Sequence, residues 1–101
     1  MKFIKSVGEN TIIHLKDKLD YATASVLMDE LRTLVGKGVK KINFYCSELE
    51  YISSAGIRAM VFVKQKIDKN VDVDVYLHNA AESIKEVFEM SGLDGYFEFV
   101  D

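Results

Sequence analysis

The chain has 101 residues, 49% hydrophobic and 29% charged, the balance of a single folded domain over residues 1–101 and not of a disordered or fibrous chain. Its formal net charge of -3 gives no strong positive field to gather nucleic acid or anionic lipid. Cys46 is the only cysteine, which excludes an intrachain disulfide and points to a reducing, cytoplasmic setting.

Phe3, Ile4 and Val7, then residues 11–15, form two β-rich runs around Gly8, Glu9 and Asn10, the chemistry of a hairpin turn. From Ala22 the spacing changes to three and four, and Ala24, Leu27, Met28, Leu31, Leu34 and Val35 fall on one helical stripe. Asp20 stands where a cap belongs, and Gly36 and Gly38 supply the stop. In residues 41–46, Ile42, Phe44 and Cys46 alternate with Asn43 and Tyr45 as in a core strand, and a polar corner is expected at residues 47–50.

Beyond Ser54, Ile57, Met60, Val61 and Ile67 predict a second amphipathic helix whose other side carries Arg58, Lys64, Lys66 and Lys69, ending at residues 68–70. Val71, Val73, Val75 and Leu77 alternate with Asp72, Asp74 and Tyr76, a strand with one wet face. Ala81, Ile84, Val87 and Phe88 mark a third helix stopped by Gly92, and residues 96–100 close the chain as an aromatic strand. The methionines Met28, Met60 and Met90 are expected to fill core space. This order, ββαβαβα and a last β, predicts an α/β fold: a mixed sheet of about five strands packed by three main helices, its opening hairpin antiparallel and its later strands largely parallel.

Several chemistries lack their residues. One cysteine with two separated histidines, His14 and His78, does not make a metal site, and the six glycines form neither a dinucleotide fingerprint nor a phosphate-cradling loop. No cofactor is expected. Asp72 and Asp74 share the solvated side of their strand, and Lys37, Lys40 and Lys41 surround a helix stop where cations suit the dipole. No run approaches the ~20 apolar residues that span a bilayer, and residues 1–7 are too short an apolar segment for a signal peptide.

One segment stands apart. Residues 51–57, Tyr-Ile-Ser-Ser-Ala-Gly-Ile, put two hydroxyls and two small side chains at the start of the second helix. A serine there is ordinarily an N-cap, while Gly56 in a first turn costs about 1 kcal/mol against Ala and suggests bare backbone open to another molecule. Free amides and the helix dipole make such an end tolerant of phosphate.

Three stretches carry a family likeness: Leu19-Asp20, then Ser53-Ser54-Ala55-Gly56-Ile57, then Met90-Ser91-Gly92-Leu93. In order and separation they resemble the anti-sigma factor antagonists of the STAS domain family, over essentially the full chain. The resemblance implies a binding protein and not an enzyme: unphosphorylated, it would hold an anti-sigma factor that is also a serine/threonine kinase, and so release a sigma factor. Phosphate on the serine two places before the loop glycine, here Ser54 with Ser53 as the alternative, would break that complex, and a phosphatase would restore it. The expected partner face is Asp20, Ser53, Ser54, Gly56 and Arg58. Two departures stand out: Ser53 replaces an aspartate common before the acceptor, and Asp17 and Lys18 replace a glycine common near Leu-Asp. The competing readings are a STAS-like sensory or scaffold module that binds a small anion, nucleotide or transporter, and a small enzyme with Ser54 as nucleophile, which lacks a neighbouring histidine base.

Overall fold

The alternation that predicts the strands also builds the core. The computed structural model describes residues 1–67 and 73–101. In chain order it contains β1 (Ile4–Ser6), β2 (Asn10–Leu19), α1 (Tyr21–Arg32), β3 (Lys41–Ile52), α2 (Ser54–Lys66), β4 (Asp74–His78), α3 (Glu82–Met90), a 3₁₀ turn (Asp94–Tyr96) and β5 (Glu98–Val100). The five strands form one sheet in the order β1-β2-β3-β4-β5. β1 runs antiparallel to β2 and the remaining pairs are parallel, as the intervening helices require.

In-register rows of side chains define the two faces. Ile13, Phe44, Leu77 and Phe99 align across β2 to β5 and join Leu27 and Leu31 of α1, Met60 and Val63 of α2, and Ile84 and Phe88 of α3 in one cluster. Each such side chain, fully buried, contributes about 1.5–3 kcal/mol. One residue along, His14, Tyr45 and His78 align on the opposite face. The Tyr45 and His78 rings stack with centroids 4.5 Å apart, and His78 Nε2 lies 2.9 Å from Asn43 Oδ1. Both histidines are thus sheet-surface groups.

The expected polar corner at residues 47–50 is instead strand, because β3 continues to Ile52 beside an equally extended β2. The pairing absorbs two extra residues of β3: between the pairs His14↔Tyr45 and Leu19↔Ile52, β2 advances five positions and β3 seven. Those bulges destroy the period-two pattern that would have announced a strand. β2 likewise runs on to Leu19, beyond the expected end at Leu15.

Three side chains expected on buried stripes lie outside, the first being Ala81, which precedes α3 as its N-cap and is exposed. Val35 follows the end of α1 and is exposed, and Met90, the last residue of α3, is 88% exposed. Gly92, at φ 70°, turns the chain back so that the Leu93 amide donates to the Phe88 carbonyl at 2.9 Å, which caps the helix end without Met90. The expected helix stop at residues 68–70, with Lys69, and the strand positions Val71 and Asp72 lie outside the described residues. Glu30 is a buried carboxylate on α1 that the sequence pattern does not reveal. Its Oε1 accepts the Phe3 and Ile4 amides, both at 3.0 Å, and so ties β1 to α1. Among the described residues no helix is long and apolar enough to cross a membrane, and no group of three His, Cys, Asp or Glu side chains is placed to hold a metal.

Candidate functional site

Register brings the singled-out residues together. Leu19 and Ile52 are paired across the parallel strands β2 and β3, so the residues that follow them, Asp20 and Ser53, start α1 and α2 at the same edge of the sheet. Two helix N-termini with their unpaired amides therefore lie at one end of the fold.

At α1 the end is closed by a reciprocal pair. Asp20 Oδ1 accepts the Thr23 amide at 3.0 Å, and Thr23 Oγ1 accepts the Asp20 amide at 2.9 Å. The Thr23 backbone bond, then its side-chain bond, hold the Asp20 carboxyl below its ordinary value near 3.8. This helix start already carries a full negative charge.

The start of α2 is organised differently. Ser53 is the N-cap: its Oγ accepts the Gly56 amide at 3.2 Å and donates to the Leu19 carbonyl at 2.9 Å. The Ser53 amide donates to that same carbonyl at 2.9 Å, which locks the cap to the end of β2. Ser54 is the first helical residue and is exposed, and its hydroxyl makes no hydrogen bond among the described residues. The amides of Ser54 and Ala55, in the first helical turn, have no preceding helical carbonyl to reach.

Gly56 has a different reason from the one its sequence position suggests. It is buried, and a Cβ there would stand 2.9 Å from Ile52 Cγ1 and 2.9 Å from Leu19 Cδ2. Its bare backbone lets α2 settle against the ends of β2 and β3, so Gly56 shapes the site from beneath and offers no side-chain surface to a visitor. The departure at Asp17 also becomes physical. Asp17 has φ 59°, the left-handed region where glycine is free and Asp is among the better-tolerated alternatives.

Arg58 is exposed one turn along α2. With Ala55 it borders a shallow groove of about 210 Å³ between α2 and α1, whose other wall includes Tyr21, Met28 and Arg32. Tyr21, directly after Asp20, is 79% exposed. The sequence does contain the signal for Tyr21, an aromatic off the buried stripe, but no period marks it. Cys46 takes no part in this surface: burial pushes its thiol up to about 12 and keeps it protonated.

Comparison with known proteins covers the same span. A family profile described as STAS domain matches residues 2–101. BtrV of Bordetella bronchiseptica, whose name describes it as an anti-sigma factor antagonist, is 32% identical over 83 residues, which are 82% of this chain and 71% of BtrV. Among solved structures, the anti-sigma factor antagonist SpoIIAA in its unphosphorylated form aligns with a TM-score of 0.76 at 19% identity, covering 97% of this chain and 86% of that one. The Bacillus cell-fate determinant SpoIIAA in its phosphorylated form aligns at 0.74 and 21% identity, covering 97% and 89%.

Proposed function

The chain belongs to the STAS domain family, and from that premise we propose that it is an anti-sigma factor antagonist whose grip on its partner is switched by phosphate on Ser54. The partner is an anti-sigma factor that is also a serine/threonine kinase, in the cytoplasm, and a separate phosphatase resets the switch. In this reading the protein is ligand and substrate and not catalyst: the γ-phosphoryl of ATP moves to Ser54 Oγ, the hydroxyl proton leaves to a base on the kinase, and ADP departs. The face offered to the partner comprises Asp20, Ser54 and Arg58, with Ser53 and Gly56 holding it in shape.

The observation that carries the choice is the contrast between two adjacent hydroxyls. Ser53 Oγ is engaged as donor and acceptor, so modifying it would dismantle the α2 cap and its bond to Leu19. Ser54 Oγ is exposed and unengaged among the described residues, at a helix start that favours an anion.

Magnitudes make a switch feasible without refolding. A phosphoserine adds about 1.5 to 2 negative charges, while an anion at a helix N-terminus gains only about 0.3–1 kcal/mol within its own fold. Buried against a partner without a matching cation, the same group costs several kcal/mol, and each 1.4 kcal/mol is about tenfold in affinity. The test is to incubate the protein with its anti-sigma kinase and ATP and locate the added phosphate by peptide mass. The expected product carries one phosphate on Ser54; a phosphate on Ser53, or none, overturns the assignment.

A further inference from the structure

Away from Ser54, the stretch of β2 that runs beside the β3 bulges borders a second concavity. A cavity of about 230 Å³ is bordered by Lys2, Phe3 and Lys5 from the N-terminal segment, and by His14, Lys16, Asp17 and Lys18 from β2. In a regular strand Lys16 and Lys18 would share one face and Asp17 the other. Here the left-handed turn at Asp17, between two shifts of register against β3, exposes all three beside the same space.

Charge is the distinctive property of this cavity. Four of the thirteen Lys and Arg side chains of a chain with net charge -3 meet around it. Although Asp17 and Glu48 are also on its border, none of the four ammonium groups is within ion-pair distance of a carboxylate among the described residues. Four ammonium groups against two carboxylates leave the border with an excess of positive charge that no direct ion pair offsets, and a multiply charged anion relieves that repulsion at several points at once. Lysine is a compact point charge with three donors, suited to phosphate oxygens. The space is smaller than the roughly 300–1,000 Å³ typical of sites for drug-sized ligands, which favours a phosphorylated small molecule over a nucleotide.

We propose that this lysine-bordered cavity is a binding site for a small phosphorylated anion, separate from the Ser54 surface. Its wall adjoins the start of α1, since Thr23 borders the cavity and Thr23 Oγ1 donates to the Lys18 carbonyl at 2.9 Å. The inference does not depend on the partner switch.

The experiment titrates the intact protein with inorganic pyrophosphate and with 3-phosphoglycerate while backbone amide resonances are recorded. The expected result is a saturable response confined to the amides around Lys2, Lys5, Lys16, Asp17 and Lys18. The paired substitutions Lys16→Gln and Lys18→Gln, both at exposed positions, weaken it about tenfold or more. Lys37→Gln with Lys40→Gln leaves it unchanged, and so does Ser54→Ala, which separates this site from the proposed switch. A response that does not saturate, or that spreads equally to Lys37, Lys40 and Lys41, overturns the proposal. Displacement of both probes by an oligoglutamate peptide of higher affinity also overturns it, in favour of an acidic protein segment.

Discussion

The starts of α1 and α2 lie side by side, grow from paired strands, and solve the same problem in opposite ways. α1 uses a carboxylate, Asp20, locked in a reciprocal box with Thr23, so its amides already face a fixed negative charge. α2 uses a neutral hydroxyl, Ser53, anchored to the Leu19 carbonyl, with Gly56 packed beneath and Ser54 exposed above. A helix end whose cap is neutral and internally fastened retains the capacity to accept an added anion; one whose cap is ionised has spent much of it.

Each half of this contrast can be attacked by substitution. The largest effect is expected from Gly56→Val, which drives a branched side chain into the space occupied by Leu19 and Ile52. Overpacking of this kind costs about 1–3 kcal/mol, and chemical denaturation should place Gly56→Val at the upper end. If it is as stable as the parent, the tight seat of α2 is wrong. Ser53→Ala comes next, at about 1–2 kcal/mol, because it removes the cap and the side-chain bond to Leu19 together. Ser54→Ala, one residue on, should stay within about 0.5 kcal/mol by the same measurement.

Asp20→Ala sharpens the α1 half through pH. Because the folded-state value of Asp20 is lowered, its cap stabilises the protein fully above the ordinary carboxyl value near 3.8 and is lost as pH falls through the lowered value. The difference in melting temperature between parent and Asp20→Ala should therefore hold constant at neutral pH and shrink in acid. A difference that persists unchanged well below that range would show that the carboxylate is not what caps α1.

The architecture was legible in the sequence wherever period and burial agree. Ile42, Phe44 and Cys46 alternate as a half-covered strand should, and Ala24, Leu27 and Leu31 keep the helical stripe. Legibility failed where the chain breaks period to do something local. The bulges of β3 made residues 47–50 look like a corner, and the capped end of α3 left Met90 in solvent. At the site, residue types alone placed Asp20, Ser53 and Ser54 near helix starts. They did not reveal which serine is fastened, because the bond from Ser53 to Leu19 joins residues 34 apart in sequence. Gly56 stands out in the sequence by its cost in a helix, yet the reason lies in Leu19 and Ile52, which only the packed structure brings beneath it. Glu30 gave no signal, since its partners Phe3 and Ile4 lie on a distant strand.

The most direct test compares partner affinity with thermal stability for Ser54→Asp and Ser54→Ala, using the anti-sigma factor of the same cell in a binding titration. The expected result is that both variants melt close to the parent, within about 1 kcal/mol of stability, while Ser54→Asp alone loses about tenfold or more in affinity. Equal binding by the two variants, or loss of binding only in step with loss of folding, would contradict a switch that acts by placing charge at an interface.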